Sequence, residues 1–345
     1  LHSTFGAGAV EEPQYREGNV RRRPFASSAG VQPRGCSRAP QRAVTDRGAD
    51  VAFAQAAQKL REHDGVALSA STIRRITERH AGVPVAEGEA EPAWPTQPGV
   101  ATVIAEIDGG MVPPVQSDPE RADRRRGKRV YWKDAALSLA HAHGSTERTY
   151  GATLNGGVEV AGRQLLGCAI AADPGTDTRV QALGDGATWI ADQVAERFGT
   201  PGRSTVDFFH VCGYLADAAG VCAPEAPKPW CEQQKAHVKA NDSAAGPATL
   251  RCAPEPPSVA DAAAPVRACS RDPSNRPEQL EAKGALANGL PIGSGEIESA
   301  HRYVVQQRLK RPGAWWTSDN AEAMLALRIH RANGQWDAYW MAPFT

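Results

Sequence analysis

The chain has 345 residues, enough for two or three domains and at least one sizeable core, and its 39 Lys+Arg balance 39 Asp+Glu. No overall basic excess marks a nucleic-acid binder, so any such surface has to come from local clusters. There is no run of 18 or more apolar residues for a membrane helix, and the opening LHSTFGAGAVEEPQY lacks the charged-then-apolar layout of a secretory signal, so a soluble, cytoplasmic chain without membrane contact is expected.

Residues 1–45 are rich in Gly, Pro, Ser and Arg and read as a flexible basic arm, with Arg21, Arg22 and Arg23 able to touch phosphate. From 46 to 82 the pattern turns helical. Val51, Ala54, Ala57 and Leu60 recur at helix spacing, as do Ile73 and Ile76. The break His63-Asp64-Gly65 through Ser69 separates two helices, with Ser69 or Ser71 capping the second. That pattern reads as a helix-turn-helix, in which Ser71, Thr72, Arg74, Arg75 and Arg79 would contact DNA. Pro84, Pro92, Pro95 and Pro98 mark residues 83–99 as a linker.

Val100 to Ile107 is a β-branched apolar run, a buried strand that delivers Asp108 ahead of Gly109 and Gly110. Tyr131–His141 and Glu147–Leu154 read as two further strands, with Arg121, Arg124, Arg125, Arg126, Lys128 and Arg129 before them. A short helix is expected to lead back from Thr178 or Gln181 across the Asp173-Pro174-Gly175 break. Val180–Gly184 is a strand ending at Asp185, Trp189–Phe198 a helix, and Ser204–His210 a strand with Asp207 near its end, together a parallel βαβ unit. Residues 222–285 hold Ala/Pro-rich stretches without helical periodicity. Leu290-Pro291-Ile292-Gly293-Ser294-Gly295 then leads into a helix from Glu296 to Lys310, stopped at Arg311-Pro312-Gly313, and a last helix spans 319–332.

Three carboxylates from two strand ends and a helix, Asp108, Asp185 and Glu298, could hold two Mg²⁺ ions, or Mn²⁺, through oxygen ligands. Such a pair activates a water or 3′-hydroxyl and stabilises the leaving oxygen in phosphoryl transfer. A single acid after a strand is usually a turn former. Two that both precede glycine, where backbone can approach closely, are harder to assign to chance. Glu296 rivals Glu298 as the helix ligand, because it lies two residues away on another face. Asp207 competes likewise with Asp185, and His210 is either a substrate contact or a packed histidine. His301, Arg302, Arg308, Lys310 and Arg311 on the same helix are candidate phosphate contacts. Seven scattered cysteines, an odd number with no CxxC pair, argue for reduced thiols over a zinc site.

Ile107-Asp108-Gly109-Gly110, Gly184-Asp185-Gly186-Ala187-Thr188-Trp189-Ile190, Asp207-Phe208-Phe209-His210 and Leu290 through Ser299 resemble bacterial DDE transposases of the ISKra insertion-sequence group. The similarity extends over roughly four fifths of the chain, including Gln306–Arg311, the tail from Ala326 to Asp337, and upstream Gln41–Asp46, Phe53–Ala57 and Ile73–Thr77. The resemblance implies an α/β fold: a ribonuclease-H-like mixed sheet with flanking helices over 100–214, a helical insertion over 215–285 and core C-terminal helices over 286–345. The separation of 113 residues from Asp185 to Glu298 is too long for a simple loop and fits an insertion. It also implies cleavage and strand transfer at element ends, DNA partners at the terminal repeats and target, a homo-oligomer on DNA, and a bacterial nucleoid setting. A ribonuclease-H-like nuclease or resolvase would use the same acids without end recognition. In a DNA-binding regulator, including an inactive transposase remnant, they would be structural. A glycoside hydrolase also uses paired carboxylates, but the basic helix after Glu298 argues against it.

Overall fold

The computed structural model describes residues 1–3, 6–18, 20–25, 36–86, 93–118, 127–242, 255–256, 258–260, 263–269, 279 and 281–342. The arginines at 121 and 124–126, the middle of the predicted linker (87–92) and much of the predicted insertion lie outside them. No helix is long and apolar enough to cross a membrane among the described residues. The chain forms two units, Leu1–Ala90 with Met111–Ala135 and Arg302–Thr345, and Glu91–Gly110 with Ala136–His301.

The first unit opens with two short antiparallel pairs, β1 (His2–Ser3) with β2 (Gly6–Ala7) and β3 (Tyr15–Glu17) with β4 (Val20–Arg22). Helices α1 (Arg38–Asp50), α2 (Phe53–His63) and α3 (Ala70–Ala86) follow. α1 begins within the stretch that the sequence predicts as an arm, up to residue 45, and no helix is expected there. Its buried stripe is Pro40, Gln41, Val44, Thr45, Gly48 and Ala49, small or polar residues that give no apolar periodicity. Packing compensates for the weak stripe: a Cβ on Gly48 would come within 2.1 Å of the Thr77 hydroxyl oxygen, so only glycine lets α1 lie this close to α3. Val44, Ala56, Leu60, Val66, Ile73 and Ile76 form the core of the three helices. Gly65, at φ +65°, makes the turn between α2 and α3. The Ser69 hydroxyl accepts the Thr72 amide at 3.2 Å, which makes Ser69 rather than Ser71 the cap.

The second unit is an α/β sandwich on a five-stranded mixed sheet in the order β11-β10-β5-β8-β9. Its strands are β5 (Val100–Val112), β8 (Lys133–Ala142), β9 (Thr149–Thr153), β10 (Pro174–Gly184) and β11 (Gly202–Val206). The hairpin β6 (Val115–Ser117) with β7 (Lys128–Val130) lies between β5 and β8 in the chain and belongs to the first unit. β10 runs parallel to both β5 and β11, and β8 pairs antiparallel with β9. The His143 amide bonds the Thr102 carbonyl at 2.9 Å, so the end of β8 meets the start of β5, as in an antiparallel pair.

Side chains alternate across β5. Val103, Ala105 and Ile107 face one way, where they pack with Val180 and Ala182 of β10 against α4 (Gly157–Ile170) and α5 (Thr188–Phe198). Ile104, Glu106 and Asp108 therefore face the other way. α4 replaces the helix expected across 173–181; Thr178 is a strand residue there, and β10 starts at Pro174. Glycines 157, 162 and 167 weaken the helical propensity of α4. Tertiary packing holds the helix instead, with a Cβ on Gly162 reaching within 1.9 Å of Gln193 on α5.

The predicted strand 204–210 ends at Val206. Asp207 caps α6 (Phe208–Cys222) by accepting the Phe209 amide at 2.6 Å, and this favours helix over strand from Phe208 on. α6 crosses the expected start of the insertion at 215 and shares a small core with α7 (Pro227–Lys239) through Val211, Leu215, Ala219, Trp230 and Cys231. α8 (Ala282–Ala287) and α9 (Gly295–Ala300) follow. In the first unit a π-helical segment, part of His301–Gln306, leads to α10 (Gln307–Leu309), α11 (Ser318–Ala332) and α12 (Trp336–Met341).

Candidate functional site

The site starts with the register of two parallel strands. Leu183 pairs with Glu106, so two residues further on Asp185 stands level with Asp108, each on the sheet face opposite α4 and α5. β10 ends at Gly184, and Gly186 at φ +90° turns the chain immediately after Asp185, a conformation that side-chain-bearing residues rarely adopt. Asp185 thus lies just past its strand, whereas Asp108, expected at a strand end, lies within β5, which runs on to Val112; Asp108 accepts the Gly109 amide and Asp185 the Ala187 amide, each at 2.8 Å.

α9 lies over the same face. Ser294 donates its hydroxyl to the Asp207 carboxylate, the Ile297 amide donates to Glu106 at 2.7 Å, and His301 Nε2 sits 3.2 Å from the Asp108 carbonyl oxygen and 3.8 Å from its carboxylate. Gly110 allows that approach, since a Cβ there would meet the His301 ring at 2.7 Å. Ser294, Glu298 and His301 fall on one helical stripe. Glu298 is thus flanked along the helix by residues bound to Asp207 and Asp108, while its carboxylate is exposed and forms no ion pair among the described residues.

Glu296 faces elsewhere and is engaged. Arg148 binds it with two bonds of 2.5 and 2.8 Å, and His141 lies 3.3 Å away. The Arg148 guanidinium foremost, then His141, holds the Glu296 carboxyl below the usual range. Asp207 is buried and bound to Ser294 and the Phe209 amide, which leaves it less available than Asp185. His210 meets the Tyr214 hydroxyl at 3.2 Å, a packed contact.

Glu106 is the residue that sequence reading missed. It is 1% exposed, and burial pushes its carboxyl up to about 8, partly offset by the Ile297 amide and reinforced by Glu296 and Asp207. With His141, His143, Phe209, Gly293 and Glu296 it lines a cavity of about 650 Å³. The available signal was its alternation with Ile104 and Asp108 inside an apolar strand. A folded-state carboxyl above the unfolded 4.5 keeps its proton in the native state, so stability should fall as pH rises from about 4.5 to about 8 and level off above. Glu106→Gln keeps an acceptor for Ile297 and cannot ionise. In metal-free buffer it should melt above wild type at pH 8.5, by up to ~4 kcal/mol in stability, with the gap closing toward pH 5. Equal melting curves at pH 8.5 would show that the buried carboxyl carries no such penalty.

The donors at Asp108, Asp185 and Glu298 are all carboxylate oxygens, the chemistry that Mg²⁺ and Mn²⁺ accept. Among the described residues no three His, Cys, Asp or Glu side chains are gathered tightly enough to hold an ion as they stand.

In the first unit, α3 buries Ile73, Ile76, Thr77 and His80 and exposes Ser71, Arg74, Arg75 and Arg79, with Thr72 half-buried. Arg74 reaches Glu78 at 3.9 Å, a weak surface pair. Arg302 and Lys310 are exposed, and half-buried Arg311 bonds the Gln307 carbonyl oxygen. Two expected phosphate contacts are corrected. Arg308 is 2% exposed, donates to the Gly48 carbonyl at 3.0 Å and lies between the Phe53 and Trp316 rings at 4.7 and 4.5 Å. His301 is buried against Asp108 in the second unit. The reason is the π-helical segment after Ala300: its wider winding means that an α-helical phase cannot be extended from Glu298 to Arg308. No family model and no curated protein matches this chain.

Proposed function

We propose that the chain is a DNA transposase with a ribonuclease-H-like catalytic core in which Asp108, Asp185 and Glu298 hold two Mg²⁺ ions. The observation that carries this reading is the register that sets Asp108 and Asp185 level on adjacent parallel strands, with the Glu298 helix over the same sheet face. The strand order and the antiparallel β8–β9 pair are compatible with that core. Bound ions would supply acidity to an attacking hydroxyl and charge to the leaving oxygen. The protein's own part is positioning. Glu106 fixes the start of α9 on β5, and Arg148 with His141 keeps Glu296 away from the ligand set. α2 and α3 then form a helix-turn-helix that reads element ends through Ser71, Thr72, Arg74, Arg75 and Arg79. Arg302, Lys310 and Arg311 are the remaining phosphate contacts. We place the protein in the bacterial cytoplasm on nucleoid DNA, as a homo-oligomer.

The test is incubation of the full chain with its element ends, target DNA and Mg²⁺. Joined strand-transfer products are expected. Cleavage without joining would identify a nuclease or resolvase, and binding without cleavage a regulator.

A further inference from the structure

Two tryptophans of the first unit face solvent, Trp132 at 60% and Trp315 at 55% exposure. They belong to one surface. The Val115 amide of β6 donates to the Trp316 carbonyl at 2.7 Å and the Tyr131 amide to the Pro114 carbonyl at 3.0 Å, which joins the β6–β7 hairpin to the loop after α10. Buried Trp316 anchors that loop edge-on to Phe53, with ring centroids 5.9 Å apart. The lysines are exchanged across the seam: Lys128 of β7 stands 4.9 Å from the Trp315 ring, and Lys310 stands 5.9 Å from the Trp132 ring. Arg129 and Val130 beside them are exposed.

A cation–π contact at an exposed site is worth only ~0.5–1 kcal/mol, too little to explain two open indoles on one face. Cations interleaved with flat aromatic faces match a polyanion whose bases are available for stacking. A duplex offers phosphates but keeps its bases paired and stacked. An unpaired strand offers both. We propose that the surface of Trp132, Trp315, Lys128, Arg129 and Lys310 binds single-stranded DNA, the indoles stacking on unpaired bases and the cations on phosphates. The proposal rests on the DNA-acting reading above.

The test uses the full chain in EDTA with labelled oligo-dT and, separately, a duplex of equal length. Wild type is expected to bind oligo-dT with quenched tryptophan emission. Trp132→Ala with Trp315→Ala should weaken oligo-dT binding ~10-fold or more and lose most of the quench, with duplex affinity nearly unchanged. Trp132→Phe with Trp315→Phe should retain most of the affinity, and this separates lost stacking from lost folding. Lys128→Gln with Lys310→Gln should flatten the salt dependence of oligo-dT binding. Oligo-dT binding by the alanine variant at wild-type strength would overturn the proposal and leave the DNA-acting reading standing. Failure of wild type to bind either DNA would overturn both. Concentration-dependent self-association lost in the alanine variant, with oligo-dT binding intact, would assign the surface to a second copy instead.

Discussion

Asp108→Asn and Asp185→Asn are each expected to lower metal-dependent DNA cleavage roughly 10³-fold or more while leaving the fold intact. The reasoning is local. Each side chain is a half-buried carboxylate that accepts a nearby backbone amide, and an asparagine oxygen can accept the same Gly109 or Ala187 amide. The substitution therefore removes charge while keeping that bond, and stability should change by less than about 1 kcal/mol. What is lost is the negative charge needed to hold a divalent cation where β10 ends beside β5. Cleavage assays on supercoiled DNA with Mg²⁺, run beside thermal melts, check both halves. A variant that melts normally and still cleaves at the wild-type rate would remove that residue from the ligand set.

Arg308→Ala is the second large effect, and it falls on stability. The guanidinium fills the gap between Phe53 and Trp316 and donates to Gly48. Burial foremost, then Arg328 and Arg311, lowers its affinity for the proton to about 10, so it stays charged at neutral pH. Alanine leaves a void between two rings and an unpaired carbonyl, a loss of roughly 3 kcal/mol, or roughly 5–10 °C in melting temperature. Arg308→Met should lose less, because it refills the space and removes the desolvation of a charge. If Arg308 contacted DNA instead, alanine would leave the melting temperature alone and weaken DNA binding.

The sequence made two of the three proposed ligands visible. Asp108 and Asp185 each close an apolar β-branched run and precede glycine, a local pattern that needs no tertiary knowledge. Glu298 was visible only as one of two acids, since choosing between it and Glu296 requires knowing which helix stripe meets the sheet and that Arg148 is nearby. Glu106 was hidden inside its strand because its environment is made by Ile297, 191 positions away. α1 went unseen for a related reason, since its buried face is built from small or polar residues whose fit depends on Thr77 in α3, and α4 because Gly157, Gly162 and Gly167 weaken a helix that packing against Gln193 of α5 holds. Arg308 was misplaced because the π-helical winding that turns it inward leaves no mark on residue spacing.

The most direct measurement of the central claim is Mn²⁺ affinity, read by paramagnetic resonance, for wild type and four single variants. Asp108→Asn, Asp185→Asn and Glu298→Gln are expected to weaken binding roughly tenfold or more, and Glu296→Gln to bind as wild type does while melting earlier through loss of its Arg148 pair. Wild-type affinity in Glu298→Gln, or loss of metal in Glu296→Gln alone, would contradict the assignment of Asp108, Asp185 and Glu298 as the metal-holding triad.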